Sequence, residues 1–196
     1  MLNVSTSITV DKTKELWEDL LALTKKQVLV GVPEENDSRE EGQKIGNAAL
    51  AYIHDNGSPA QGIPPRPFMQ PGISKAQDRI NTELLQVAKA QLNNNQDEVD
   101  KHLNNAGLVA SASIKRVINE GENFTPLKYA TLLARMRKRK SYIGKRKKLA
   151  KLKSRGDRTG YDQLAGDMAD IMESFHPLVD TGNFRNSIGY VVMEKE

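Results

Sequence analysis

The segment from Lys128 to Arg158 constrains this chain more than any other, because it concentrates positive charge. It contains fourteen Lys and Arg residues against one acidic residue, Asp157, and therefore carries a net charge of +13. The whole chain carries +4, which leaves −9 on all the other residues. A cationic segment on an acidic body indicates an anionic partner, either a nucleic acid or an acidic protein surface.

Length and composition favour one domain with an insertion. The 196 residues are enough to bury an independent core, and 38% of them are hydrophobic. We expect a single domain over 1–196, with 135–158 as a basic insertion that is exposed and partly disordered when unbound, because few apolar residues lie in it. There is no cysteine, which excludes disulfides and thiolate sites.

The N-terminus lacks the basic and apolar regions of a secretion signal, and no apolar run approaches the roughly 20 residues that span a bilayer. We therefore expect a soluble protein made in the cytoplasm, without a membrane partner.

Alternating apolar residues predict strands at 2–10, 27–32 and about 187–193. The connection between the first two strands is long enough for a crossover and short enough for an antiparallel return, so the sequence leaves both open. We predict an α+β fold in which a small, mostly antiparallel sheet of about three to five strands packs against long amphipathic helices.

The helical predictions follow apolar residues spaced three and four apart. A first helix follows Asp11, and a short one over 45–53 ends at Asn56-Gly57. Two long helices, or one kinked helix, run from Ile73 to about Glu120, with Asn95 as a cap between them. Further helices are predicted to begin at Thr125-Pro126 and, after the basic run, at a capping box formed by Thr159–Asp162.

Residues 58–72 hold five of the eight prolines, which predicts a rigid, extended connector. Two interpretations stay open. The segment is either a stiff turn or a docking element at a subunit interface, with Arg66, Pro67 and Phe68 presented to a neighbour.

No catalytic constellation emerges. Asp180-Thr181-Gly182 matches the catalytic triplet of retroviral-type aspartic proteases, but the 14 residues after it leave no room for the strands that such a fold needs. We interpret it as a structural turn. The three histidines lack ligand-spaced partners, and neither a P-loop nor a dinucleotide fingerprint occurs. We predict no enzyme activity, metal or cofactor.

Three interpretations of the basic run remain: contact with a phosphate backbone, docking on an acidic protein surface, or a solvated loop without a dedicated partner. With one aromatic residue, Tyr142, and no zinc-ligand spacing, any nucleic-acid contact is expected to be independent of base sequence. The residues predicted to contact DNA or an acidic partner are Arg135, Arg137, Lys138, Arg139, Lys140, Lys145, Arg146, Lys147, Lys148 and Lys151.

Three blocks in the same order resemble a known family. The string PLVDTGNFRNSIGYVV, the upstream NFTPLKYATLLARMRKRK and the segment AALAYIHDNGSPAQGIPPRPFMQPGI are similar to blocks of the Mu-like virion morphogenesis family and related neck and tail-completion proteins of tailed bacteriophages. Together the quoted blocks cover 60 of the 196 residues. The sequence departs from the family pattern in the length and charge of 138–158 and in its two extended helices.

The resemblance implies a structural protein of the virion head–tail junction, made in the bacterial host cytoplasm. It would form a homo-oligomeric ring of six or twelve subunits between neighbouring head-completion or portal-side proteins and tail-terminator or tail-tube proteins, with genomic DNA in the lumen. It also implies structural roles, in a turn and a closing strand, for Asp180, Thr181, Gly182, Arg185, Ser187 and Ile188. The alternative is a sequence-neutral nucleic-acid-binding protein that uses 128–158.

Overall fold

A computed structural model describes residues 12–38, 45–122, 124–138, 140–173, 175–179 and 182–195. Over these residues the chain is mostly helical. Its helices are α1 (Thr13–Lys25), α2 (Asn47–Asn56), α3 (Met69–Leu92), α4 (Gln96–Glu120), α5 (Tyr129–Lys138), α6 (Lys140–Ser154), α7 (Arg158–Glu173) and α8 (Asn183–Ser187). Its strands are β1 (Lys26–Gly31) and β2 (Gly189–Glu194).

The apolar spacing predicts two long helices or one kinked helix, and the structure has two, α3 and α4, which form an antiparallel hairpin. Asn94 takes a left-handed conformation (φ 52°) at the reversal. The Asn95 side chain then accepts a hydrogen bond from the Glu98 amide at 3.3 Å and caps α4. Because weak helix formers and a good cap lie together here, the chain breaks into two helices rather than one kinked helix.

The hairpin closes tightly where Gly72 of α3 meets Ile114 of α4. A Cβ atom on Gly72 would lie 2.6 Å from the Ile114 side chain and 2.7 Å from its Cα atom, so no larger residue fits without displacing backbone. Ile114 is fully buried. Around it lies the main core, whose buried members are Phe68, Ile114, Val117, Ile118, Phe124, Leu178, Phe184 and Ile188.

A second, smaller core lies near the far end of the hairpin. Val87, Ala90, Val99 and Leu103 are buried there, against partly buried Leu23, Val28 and Val192. Next to it the Glu83 carboxylate lies 2.7 Å from His102 Nδ1 and accepts a hydrogen bond from the Asn105 side chain. These bonds tie α3 to α4 and lower the pKa of Glu83, the largest cause being the hydrogen bond with His102.

The prediction of a sheet of three to five strands is wrong. The described chain has one two-stranded antiparallel sheet, with β1 paired to β2 from Lys26↔Glu194 to Gly31↔Gly189. The predicted strand at 2–10 lies outside the described residues. The physical reason for the small sheet is that α3 and α4 cover each other's apolar faces. The sheet then covers the remaining side of α4, with the Tyr190 ring against Gly107.

The proline-rich connector is shorter and less extended than predicted. A single 3₁₀ turn occupies Pro59–Gln61, and Ser58 bridges to Ile63. Helix α3 already begins at Met69, because the Asp55 carboxylate accepts the amides of Phe68 (2.8 Å) and Met69 (3.1 Å). This cap comes from another helix, α2, and fixes the end of the connector against it.

Two helix starts near the basic run also differ from the sequence prediction. Helix α5 begins at Tyr129 rather than at Thr125-Pro126. Helix α7 is capped by Asp157, whose carboxylate accepts the Gly160 amide at 2.9 Å, rather than by Thr159. The cap comes earlier because Gly156, with a φ of 73°, already reverses the chain.

Replacing Gly72 by alanine tests the central helix contact. We expect Gly72→Ala to lower the free energy of unfolding by about 1–3 kcal/mol, because the added Cβ overlaps the Ile114 backbone. The measurement is urea unfolding followed by circular dichroism. The matched control is Gly166→Ala in α7, where nothing lies within 4 Å of the new Cβ, and which should be neutral or stabilising by up to about 1 kcal/mol. Equal stability of the two variants would contradict the packing described.

Stability should also depend on pH through Glu83. Because its folded pKa is lowered, its contribution is present above the ordinary carboxyl pKa and is lost as the pH falls through the lowered value. We expect Glu83→Gln to cost about 0.5–1 kcal/mol at neutral pH, a difference that vanishes in acid. Thermal unfolding across pH measures it. The control Asp78→Asn removes an exposed carboxylate of the same helix, and an equal trend in the two variants would refute the assignment.

Candidate nucleic-acid interface and neighbouring cleft

Helix α6 carries the concentrated positive charge. Its sequence contains no acidic residue, and among its cations Arg146, Lys147, Lys148, Lys151 and Lys153 are exposed. Since consecutive helical residues point about 100° apart, the run 145–148 distributes charge around the whole helix. One of the four, Lys145, is turned toward α7, with its Nζ atom 3.7 Å from the Asp167 carboxylate.

Most described residues of the basic segment lie in helices, and these helices pack on one another. Helix α6 packs along α7, with Leu149 and Leu152 half-buried. Met136 of α5 is 1% exposed, and Leu164 of α7 is 8% exposed. Contacts of α6 with α7, and of α5 with both, join the three helices into a unit, which we call the cationic arm (129–173).

A shallow groove of about 430 Å³ runs along the exposed side of this arm. Tyr142, Ile143 and Ala150 provide its apolar surface, and Arg137, Arg146 and Lys147 flank them. An aromatic ring beside several cations suits the binding of single-stranded nucleic acid, because the ring can stack on a base of any identity while the cations contact phosphates. Three of the cations predicted to contact DNA or an acidic partner therefore line the same groove: Arg137, Arg146 and Lys147.

The other predicted cations are distributed differently. Arg135 donates from Nη1 to the carbonyls of His176 and Val179, each at 3.0 Å, and so fastens the segment 175–179 to α5. Lys138 lines a separate cleft. Lys148 and Lys151 are exposed on α6. Arg139 and the side chain of Lys140 lie outside the described residues.

Arg66 and Phe68, predicted to face a neighbouring subunit, lie inside this one. Phe68 has no exposed surface and contacts Phe184 edge to face at 5.6 Å. Arg66 is 7% exposed, and its Nε donates to the Thr125 carbonyl at 2.9 Å. The cap from Asp55 draws this part of the connector into the core. Of the predicted trio, Pro67 is exposed.

The C-terminal turn has a structural role in the described residues. Gly182 adopts a φ of 84° and leads into α8. Arg185 donates to the Asn119 side chain at 2.9 Å, and the Ser187 hydroxyl donates to the Phe184 carbonyl at 2.7 Å. Ile188 is 1% exposed in the main core. Asp180 and Thr181 lie outside the described residues.

A larger cleft of about 800 Å³ lies between α2, α5 and α8. Arg66, Arg135 and Lys138 line it together with Asn47, Asn183 and Asn186. Burial and the nearby Arg135 charge lower the pKa of the Arg66 guanidinium. Sequence reasoning missed this cleft, because its walls come from segments that are far apart in the chain and share no local motif.

Two further findings concern metal binding and membrane spans. Among the described residues, no group of three or more His, Asp or Glu side chains lies close enough to hold a metal ion. Within the same residues, no helix is both long and apolar enough to cross a membrane.

Comparison with known proteins returns no relative: no protein-family model, curated protein or solved structure matches this chain. The resemblance to phage neck proteins therefore depends on the sequence blocks themselves.

The cationic groove yields a prediction for nucleic-acid binding. We expect the triple variant Arg137→Ser, Arg146→Ser, Lys147→Ser to bind random duplex and single-stranded DNA more weakly. The slope of log K against log salt should fall by up to about 2.7 for duplex DNA, since each lost phosphate contact removes about 0.9. Fluorescence anisotropy over a salt series measures both quantities.

The matched control removes the same charge from exposed cations outside the arm, as Lys14→Ser, Arg79→Ser, Arg116→Ser. It should retain the wild-type slope. Equal losses in the two triple variants would show that net charge, not the groove, governs binding.

Proposed function

We propose that this chain is a non-enzymatic structural protein of the tailed-phage virion, located at the head–tail junction as a neck or tail-completion component. In this proposal several copies form a ring, of six or twelve subunits, that connects the DNA-filled head to the tail. The resemblance of the three sequence blocks motivates it. The structural observation that supports it best is the separation of charge between α6 and the rest of the molecule.

The charge separation suits a ring around or beside an anionic partner. Among its described side chains helix α6 presents five exposed cations, and its sequence has no acidic residue, while the residues outside the basic run sum to a charge of −9. One arm binds weakly, because exposed charges are screened by salt. A ring places many arms at fixed spacing, so that they engage DNA, or an acidic neighbouring ring, at once.

Exposed apolar side chains are consistent with association between copies or with neighbouring proteins. Trp17 of α1 is 63% exposed, and Leu21 on the same helix is 45% exposed. On the sheet, Leu29 is 50% and Val191 is 41% exposed, and the two pair across the strands. Large apolar residues kept in contact with water on a folded subunit are typical of surfaces that become buried on assembly.

The second candidate function comes from another class, a free nucleic-acid-binding protein without sequence preference. The groove around Tyr142 favours it, because a stacking ring between cations serves a single strand directly. In this case the chain would act as a monomer, and the exposed residues of α1 and the sheet would have no role in binding.

Particle mass distinguishes the two functions. We expect mass photometry of the purified chain, alone and with tailless heads or free tails, to reveal assemblies at six or twelve times the 21.8 kDa subunit mass, or association with those particles. Trp17→Ser combined with Leu29→Ser should weaken assembly, because both remove exposed apolar surface. The control Tyr52→Ser removes another exposed aromatic side chain, on α2.

A chain that stays monomeric at every concentration and joins neither heads nor tails would overturn the structural role. Salt-dependent DNA binding by that monomer would favour the second candidate.

A further inference from the structure

The cleft between α2, α5 and α8 combines features that the proposed ring function does not use. Its volume of about 800 Å³ lies within the range of sites for small organic ligands. Arg66, Arg135 and Lys138 place three positive charges along its wall. Glu35, an exposed residue, is the acidic side chain among the described lining residues.

Arg66 is the residue that most clearly indicates a ligand-binding site. The residue is only 7% exposed and is therefore 93% buried. Among the described residues, no carboxylate forms an ion pair with it. Its Nε donates to the Thr125 carbonyl, which uses one of the five N–H donors of a guanidinium. A buried cation without a counter-ion is costly, and a second cation in the same cleft adds to the cost.

The acidic residue closest to Arg66 in the sequence, Asp55, forms hydrogen bonds with other groups. Asp55 accepts the amides of Phe68 and Met69 through one carboxylate oxygen and thereby caps α3. Burial and then the charge on Arg135 lower the pKa of Arg66, as expected of a cation whose surroundings do not compensate it. An added anion would compensate the buried positive charge.

Another part of the cleft wall, at Asn47, is polar and held in place. The Asn47 side chain donates to the carbonyls of Asn36 (2.9 Å) and Ser38 (3.2 Å), which fixes this side of the cleft. Leu127 and Phe184 add apolar surface. This arrangement suits a molecule with a charged end and a short carbon body, more than a bare ion.

We propose that the cleft binds a small organic oxyanion, a carboxylate or a phosphate ester, whose charged group pairs with the guanidinium of Arg66 while Lys138 contacts it from the rim. The fork of N–H donors on an arginine matches two oxygens of either group. Such a ligand would also join the connector, α5 and α8, and so hold the cationic arm against the body.

Calorimetry and thermal unfolding test this site with two probes, glutarate and glycerol 3-phosphate, at constant ionic strength. We expect saturable binding in the millimolar range or tighter and a rise in melting temperature with ligand concentration. The probe that binds more tightly identifies the charged group as carboxylate or phosphate. Arg66→Lys keeps the charge but loses the fork, and should weaken binding at least tenfold.

The control Arg116→Lys makes the same change at an exposed position of α4, away from the cleft and the groove, and should bind both probes like the wild type. If Arg66→Lys does not fold, Lys138→Gln serves instead, because Lys138 is exposed on the rim and its loss should weaken binding several-fold. Absence of saturable binding by the wild type, or equal affinity of the cleft variants and the control, would overturn the proposal. Neither result depends on ring assembly, so the proposed function stands or fails separately.

Discussion

The close contact between α3 and α4 is the constraint on which the rest of the structure depends. Because Gly72 lets the two backbones approach at Ile114, α4 can bury one face against α3 and another against the sheet. The Tyr190 ring packs on Gly107 in the same way. A two-stranded sheet is marginally stable alone, and here α4 supports it. The C-terminal turn and α8 then close the main core around Phe184 and Ile188.

Within the cationic arm, helix α6 lies outside the main core. None of the described side chains of α6 belongs to either core cluster, and its described cations face water or α7. The arm is connected to the body at its base, where Arg135 bonds to the carbonyls of His176 and Val179. Positive charge can therefore accumulate on α6 without placing a cation in either core cluster. That arrangement is what an element specialised for an anionic partner requires.

Local sequence signals predicted much of the local structure. Helical spacing identified α3 and α4, Asn95 identified the cap between them, and Gly57 and Gly182 marked turns at positive φ. Alternation identified β1 and β2. These features depend on neighbours within a few residues, which a single sequence displays directly.

What the sequence did not predict depends on distant contacts. The apolar stripes could be covered by strands or by helices, and the two helices cover each other, so the sheet is smaller than expected. Proline-rich residues 64–68 suggest an exposed connector, but the cap from Asp55 buries Phe68. The sequence of α6 does favour a helix, because Lys, Arg, Leu and Ala are all good helix formers. The polarity of the segment outweighed that signal in the sequence prediction. The Arg66 cleft had no local signal.

The central claim is that α6 is the contact element of an oligomeric ring at the head–tail junction. Cryo-electron microscopy of virions that carry this chain measures its position most directly. The account predicts a closed ring of bodies built on α3 and α4, with each α6 directed at the DNA in the lumen or at an acidic face of the adjoining ring. Absence of the chain from the junction, or a ring in which every α6 faces bulk solvent, would contradict it.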